Sequence, residues 1–372
     1  MKIKLLTDPQ YAASSWCHAT LKGIREQAYL LKISLEELND TDFFLSAANE
    51  PNCITIVTGT SINWINKISS RLLLEKPPFL LVTADYNLSF DGKISSILVD
   101  YRSAMQALLS HLEQNGNSKI AFFGMNPSSY ADTVKSEFFA KEDIYYNYGN
   151  IATCTNQFFQ QISRYDAAIC SNDAAAIYLI HFLSKKGIQV PDCLHLASFG
   201  NFLLSNLTGP PLTSIAIDYR LLGQQAVRLC SFLIKNPSLT VNAFINGILK
   251  IKYSSKGSLQ RKTVSTALPS ISFHTPDSHP DINFYEDSAI SSILALERLI
   301  SESSRLDLQI LELLLTGETL EKIAEYQNLS LSALRYRLKK MSALFPTHSR
   351  SAMLDALREY VSKDALTKVI FD

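Results

Sequence analysis

The most constraining feature of this chain is an alternation that runs from its first residues to about residue 255. Short, continuously apolar runs recur at 3–6, 53–57, 79–83, 97–99, 120–123, 167–170 and 194–198. Between several of them lie amphipathic stretches, at 16–29, 101–114, 174–186 and 219–235. A strand apolar on both faces has to be covered on both, and parallel pairing needs a helical crossover of roughly 10–15 residues. The spacing therefore predicts an α/β unit with parallel sheets over residues 1–255. Such sheets bind ligands at the carboxyl ends of their strands.

The pattern stops after Ser254. Residues 255–285 are rich in Ser, Thr, Pro and His without a sustained period, and read as a linker. A helical pattern follows over 287–304, with Ile290, Ile293, Leu294, Leu296, Leu299 and Ile300 apolar. The organisation expected is thus a unit at 1–255, a linker and connecting helix at 256–304, and an all-α unit at 305–372. The apolar face of the connecting helix has two candidate partners, a second protomer or the chain's own α/β unit.

In the last segment Leu306, Ile310, Leu311, Leu313 and Leu314 fall at helical spacing, and Thr316-Gly317 supplies a stop. Thr319 is placed to cap a second helix and Ser330 a third, which runs to Met341. Helices joined by a turn as short as Asn328-Leu329-Ser330 make a helix-turn-helix. Between Tyr326 and Leu354 there is no Asp or Glu, whereas Arg335, Arg337, Lys339, Lys340 and Arg350 all fall there. A cationic face without neighbouring carboxylates suits phosphate neutralisation. Leu334, Leu338 and Met341 form the stripe for docking, so the basic residues are expected to face outward.

Composition narrows the function classes. Lys plus Arg is 35 and Asp plus Glu is 35, which excludes a polybasic chain but not a local basic patch. The six cysteines form no CxxC pair, so neither a disulfide framework nor a zinc knuckle is indicated, and a reducing compartment fits. Asp8 interrupts the amino-terminal apolar run well short of the roughly 7–15 residues of a secretion signal. No run approaches the roughly 18 apolar residues of a membrane span, so a cytoplasmic location without a membrane partner is expected. No GxGxxG or P-loop occurs. His274 and His279 lie among prolines in the linker, and no metal site is read there. Cys170, with His181 or His195, ends an apolar strand and reads as a small buried hydrophobe. The expectation is a protein with no catalytic residues, no metal and no cofactor.

Two resemblances follow. Ile310-Leu311, Leu313-Leu314, Gly317, Ile323-Ala324, Leu329-Ser330, Leu334, Arg335, Leu338 and Ser349-Arg350 resemble the LuxR/FixJ-type helix-turn-helix over residues 306–354. The family's Arg-Glu pair near the start is Leu306-Asp307 here, its recognition-helix Thr is Ala333 and its His is Arg337. By analogy Ser332, Ala333, Arg335 and Tyr336 would face bases, and Arg337, Lys339, Lys340 and Arg350 would hold phosphates.

The stretch Tyr165-Asp166-Ala167-Ala168-Ile169-Cys170-Ser171-Asn172-Asp173 is similar to the strand-loop-helix of LacI/GalR-family effector domains. Gly187 to Asp192, Leu196 to Gly200, Pro210 to Ile215 and Asp218 to Gly223 extend the likeness, and Gly23, Asp85 and Asp100 have counterparts upstream. The resemblance implies a type-I periplasmic-binding-protein fold of two lobes closing on a small molecule, with crossings near 116, 217 and 246. It implies ligand roles for Trp16, Asp85, Lys135, Asn172, Asn201 and Tyr219, with Asp173 assigned to capping. Asn172 has its own physical case, since a strand end puts its amide, donor and acceptor together, at the cleft. Sugar-binding members carry Asp where Gly200, followed by Asn201, stands here, so hydroxyl contacts come from elsewhere or the effector, a sugar or related metabolite, is not a simple sugar. The expectation is a ligand-responsive, homodimeric transcription regulator whose DNA reader follows its effector domain. The rival is a solute-binding or sensor protein whose helical unit binds protein.

Overall fold

The computed structural model describes residues 1–45, 50–75, 78–83, 94–257, 284–345, 347–361 and 366. The chain begins β1 (Lys2–Thr7), α1 (Ser15–Leu30), β2 (Ser34–Leu38), α2 (Asp40–Leu45), β3 (Cys53–Thr58), α3 (Ile62–Glu75), β4 (Phe79–Thr83) and β5 (Ser95–Val99). It continues α4 (Tyr101–Gln114), β6 (Ile120–Met125), α5 (Tyr130–Ser136), β7 (Ile144–Tyr146), α6 (Ile151–Gln160), β8 (Ala167–Cys170) and α7 (Asp173–Lys185). Next come β9 (His195–Phe199), β10 (Thr213–Ala216), α8 (Tyr219–Lys235), β11 (Asn242–Ile245) and β12 (Ile248–Lys250).

Among the described residues these strands form two six-stranded sheets, β11-β5-β4-β3-β1-β2 in lobe 1 and β12-β10-β9-β8-β6-β7 in lobe 2. The apolar runs of the sequence are the inner strands: every residue of β3, β5, β8 and β9 is buried. Pairing is parallel except where β12 runs antiparallel to β10, a departure from the all-parallel expectation. β11 runs toward the cleft with the rest of its sheet, so a chain that passes straight on into lobe 2 starts β12 at the cleft end and runs it against β10.

Among the described residues the chain crosses between lobes three times. The first crossing falls at Asp100, not near 116 as the resemblance implied. Asp100 caps α4 through a hydrogen bond from Ser103 N (2.9 Å), and α4 already packs against α5 and β12 of lobe 2. At the second crossing Asp218 caps α8, which returns to lobe 1 and lies on α1. A Cβ on Gly23 would stand 2.0 Å from the Arg220 carbonyl oxygen, and one on Gly223 2.0 Å from that of Thr20. Only glycine lets these two backbones approach so closely. The third crossing is at Gly247, where a Cβ would meet Ile215 at 2.4 Å.

Among the described residues five α-helices follow: α9 (Ser288–Glu302), α10 (Arg305–Leu315), α11 (Leu320–Tyr326), α12 (Leu331–Ser342) and α13 (Arg350–Tyr360). Of its two candidate partners, the connecting helix α9 takes the chain's own α/β unit. Ile290, Ile293, Leu296, Leu299 and Ile300 are fully buried, and α9 packs on α7 and α13. One apolar core runs from Phe123 and Phe158 of lobe 2 through α7 into α9 and on to Leu311, Leu334 and Leu357. The caps expected at Thr319 and Ser330 are made, to Lys322 N (3.4 Å) and Ala333 N (3.2 Å), and Gly317 ends α10 with φ +89°. The histidines of the linker, His274 and His279, lie outside the described residues.

Candidate functional site

The carboxyl ends of both sheets face one cleft, which holds a cavity of about 720 Å³. Its walls are largely first turns of helices. Ser14 caps α1 (Cys17 N, 3.3 Å) and sets Trp16 in the opening turn. Asp100 and Asp218 do the same for Tyr101 and Tyr219. Ser129 caps α5, and the helical spacing then puts Asp132 and Lys135 on one face. Helix-capping chemistry, a strand end and a cleft residue thus recur as one unit.

Two kinds of surface meet in the cavity. The first is aromatic. The Trp16 ring lies 5.9 Å from Tyr11 and 6.0 Å from Tyr219, between centroids, and the hydroxyls of Tyr219 and Tyr101 stand 3.1 Å apart. Burial raises the Tyr101 and Tyr219 phenols well above their ordinary values, so both are neutral hydrogen-bonding groups. The second is polar. Lys135 Nζ donates to Asp132 Oδ1 (2.8 Å) and to the Ser171 carbonyl (2.8 Å), and rests 4.8 Å from the ring centres of Tyr101 and Phe199. The other Asp132 oxygen accepts from Asn126 N (3.0 Å). A buried cation so paired adds donor and acceptor to the cavity without net charge.

The lobes also bond to each other across the cleft. Asn126 Nδ2 of lobe 2 donates to the Tyr11 hydroxyl of lobe 1 (3.1 Å), and Thr60 and Ser129 hydroxyls lie 3.2 Å apart. Behind this contact Asp8 is fully buried and accepts from Ser61 N (2.9 Å), Gln10 N (3.1 Å) and Thr60 N (3.3 Å). The sequence reading used Asp8 only to end an apolar run, and did not single out Tyr11, Asn126 or Asp132. The i,i+3 pairing of Asp132 with Lys135 was the signal available.

Of the ligand residues named from sequence, Trp16, Lys135, Asn172, Asn201 and Tyr219 all line the cavity. Asp85 lies outside the described residues. Two roles need correction. Asn172 Oδ1 accepts from Ala175 N (3.0 Å), so Asn172, not Asp173, is the cap of α7. Asp173 is instead buried under the loop after β9, where it accepts from Ser198 Oγ, Ser214 Oγ (2.7 Å) and Phe202 N (2.6 Å). Burial raises its pKa, with those donors pulling the other way. Gly200 and Asn201 form the turn of that loop, at φ +133° and +51°. Asn201 Oδ1 accepts from Lys252 Nζ (2.9 Å). A Cβ at 200 would also lie 3.2 Å from the Phe202 ring, so glycine here serves the backbone.

Cys170 is fully buried and its thiol is pushed up by desolvation. His181 and His195 have partners elsewhere, Glu359 and Asn117. Among the described residues no group of three His, Cys, Asp or Glu is placed to hold a metal ion, and no helix is long and apolar enough to cross a membrane.

A second surface lies on α12. Ser332, Arg335, Tyr336, Lys339 and Lys340 are exposed at helical spacing on one face, with Tyr336 71% exposed. Ala333 is half-buried, and Arg350 at the start of α13 is exposed. Arg337 departs from the outward orientation expected of every basic residue here. It is half-buried and its Nη1 donates to Asp307 Oδ1 at 2.8 Å, so its charge is spent within the helical unit.

Comparison with known proteins addresses the α/β unit. Residues 109–242 match the model of a family described as a periplasmic binding protein-like domain. Catabolite control protein A of Staphylococcus xylosus is 27% identical over 169 residues, 42% of this chain and 51% of that protein. The NTD biosynthesis operon regulator NtdR of Bacillus subtilis is 31% identical over 186 residues, 46% of this chain and 55% of that protein. The HTH-type transcriptional repressor PurR of Histophilus somni is 33% identical over 98 residues, 26% of this chain and 27% of that protein. The chain thus spans about half or less of the length of the curated relatives it matches. Among solved structures, the transcription regulator CcpA of Lactococcus lactis gives a TM-score of 0.57 at 21% identity, covering 69% of this chain and 99% of that one. A transcriptional regulator CelR in complex with cellobiose gives 0.59 at 13% identity, covering 68% and 84%. The α/β unit has the two-lobed periplasmic-binding-protein-like fold.

Proposed function

We propose that this chain is a ligand-responsive transcription regulator. A small effector fills the cleft between the lobes, and α12 enters the DNA major groove in a homodimer. The observation that carries the reading is the outward face of α12. Among the described residues Arg335, Lys339, Lys340 and Arg350 make no ion pair. Unpaired cations on one helix face are what displacement of phosphate counterions requires. Arg335, with Ser332 and Tyr336, is the candidate reader of base edges; Lys339, Lys340 and Arg350 are the phosphate contacts, and Arg337 supports the helix from behind. The transcription regulators similar to the α/β unit support the same class of activity.

The cleft supports a compact, uncharged ring with several hydroxyl or amide groups. Its aromatic walls offer stacking faces, and the neutralised Asp132–Lys135 pair offers adjacent acceptor and donor. A sugar or related metabolite meets that description. A ligand of this kind shifts an equilibrium between lobe arrangements only by binding one of them better.

The test is fluorescence anisotropy of a duplex from the promoter of the protein's own locus, across a salt series. Wild type is expected to bind with a steep salt slope. Lys339→Ala/Lys340→Ala should lose at least tenfold in affinity and lower the slope by about 2, given roughly 0.9 per phosphate neutralised. Absent or salt-insensitive binding in both proteins removes the DNA role and leaves the face around Tyr336 as a protein-docking surface.

A further inference from the structure

The cleft has a third wall that belongs to neither lobe. The segment 284–302, which links the α/β unit to α10–α13, contributes Tyr285, Leu294, Glu297 and Arg298 to the lining of the cavity. We propose that Tyr285 and α9 are part of the effector site itself, so that whatever fills the cleft acts directly on the helix that carries α10–α13. This rests on the effector reading above and specifies how the signal leaves the site.

Four observations converge on it. Tyr285 stands edge-on to Tyr11 of lobe 1, 5.4 Å between centroids at 77°, and Tyr11 in turn lies 5.9 Å from the Trp16 ring. Trp16 is also a cleft residue, so the connecting segment is gripped by the same aromatic surface that a ligand ring would use. Secondly, α9 bridges the lobes. It packs on α7 of lobe 2 and touches α1 of lobe 1, and the Arg298 charge lies close enough to His18 of α1 to depress its pKa, after burial.

Thirdly, the floor of the cleft and α9 hold the same loop. The Glu297 carboxylate accepts from Leu203 N (3.1 Å) and Leu204 N (2.9 Å). One residue earlier, Phe202 N donates to Asp173, next to Asn172 on the cavity wall, and before that Asn201 accepts from Lys252. A displacement of residues 200–204 by a ligand therefore alters the partners of Glu297. Fourthly, only Ser303 and Ser304 separate α9 from α10. Ser304 is fixed by a capping box with Asp307, so a shift of α9 passes to the next helix and is not absorbed in a loose joint. In an arrangement with two walls a ligand acts on a distant reader only through the angle between the lobes. Here it gains differential contact with the reader's own stem, which is the free-energy difference coupling requires.

The experiment is amide hydrogen exchange by mass spectrometry on the full chain, read in peptides of 284–302, with peptides of α3 as the internal reference. Trp16→Ala and Tyr285→Ala each remove one side of the aromatic grip. Each is expected to speed exchange in α9 by about tenfold or more while α3 stays at the wild-type rate. Tyr285→Phe keeps the ring and should fall near wild type. Unchanged exchange of α9 in Trp16→Ala would mean lobe 2 alone holds the helix, and the proposal falls. A second measurement stands if Trp16→Ala fails to fold. In a Trp64→Phe background only Trp16 emits, and its acrylamide quenching should rise severalfold on Tyr285→Ala; no rise overturns the third wall. Neither measurement uses DNA. A wild type that binds no duplex while the variants loosen α9 removes the DNA reading and keeps this one, and intact duplex binding by wild type with an unmoved α9 in the variants does the reverse.

Discussion

The two lobes repeat one strand order, yet their outer faces differ, and the difference lies in one helix of each. In lobe 1, α3 buries a single stripe, Trp64, Ile65, Ile68 and Leu72, against the sheet and leaves its far side to solvent, with Leu74 82% exposed. In lobe 2 the corresponding α7 is buried on opposite sides, from Ala174, Ala175 and Ala176 through Ile177, Leu179, Ile180 and Leu183. A helix apolar nearly all round sits between two partners. The second partner of α7 is the layer of α9 and α13. One lobe is a two-sided sandwich and the other a platform on which the helical unit is built.

The largest effect expected from this contrast is on stability. Leu296 is fully buried between α9 and lobe 2. Leu296→Ala should cost about 2–5 kcal/mol in urea unfolding followed by circular dichroism, the range for a buried leucine that leaves a cavity. Leu74→Ala on the outer face of lobe 1 should stay within about 0.5 kcal/mol. Equal, small losses would break the comparison, because α9 would then be a tether and not part of the core of lobe 2.

A smaller effect is pH-dependent and confined to the same layer. Burial lifts the Glu297 carboxyl to about 7, against the backbone donors of Leu204 and Leu203 that favour its charged form. An acid whose folded pKa is raised binds more protons folded than unfolded, so stability falls as pH rises. The loss begins near the ordinary glutamate value of 4.5 and is complete just above pH 7. Its size is on the order of 1–3 kcal/mol. Glu297→Gln keeps an acceptor for one of the two N–H groups and cannot titrate, so it should flatten that slope in unfolding curves taken from pH 4.5 to 7.5. A slope unchanged in the glutamine variant would place its origin elsewhere.

How far the sequence could be read follows from the same physics. Strands buried on both faces announce themselves as apolar runs, and β1, β3, β4, β5, β6, β8 and β9 were legible for that reason. The short or half-exposed β2, β7, β11 and β12 carry no such run; in β11, Asn242 and Phe244 are exposed while the alternate residues are half-buried. The caps at Thr319 and Ser330 were equally legible, since they act locally, within three residues. The third wall of the cleft was not. Nothing local in Phe284-Tyr285-Glu286 says that its ring meets Tyr11, because that contact spans most of the chain. The apolar girth of α7 did advertise a missing layer, and reading it would have decided between the two partners of α9. Arg337 was misjudged because charge counting over 327–353 omits Asp307, which α10 delivers from outside that window.

That pair gives the smallest effect and sharpens the contrast between a helical unit held together internally and one that offers its charges outward. Burial works against ionisation of Asp307, but hydrogen bonds from Ser304 and Arg337 outweigh it and hold its carboxyl below the ordinary value. A depressed acid stabilises the fold above its unfolded pKa, and that contribution disappears as pH falls through the depressed folded value. Because Arg337 remains half-exposed, solvent screening keeps the pair near the 0.2–1 kcal/mol typical of surface salt bridges. Arg337→Gln should therefore cost less than about 1 kcal/mol at neutral pH, and Asp307→Asn should remove the dependence of that cost on acid. In the anisotropy assay Arg337→Gln is expected to leave the salt slope of duplex binding within error, whereas Lys340→Gln lowers it by about 1. A slope lowered equally by both would show that Asp307 releases Arg337 to phosphate on binding, and α10 would then count as part of the DNA-facing surface.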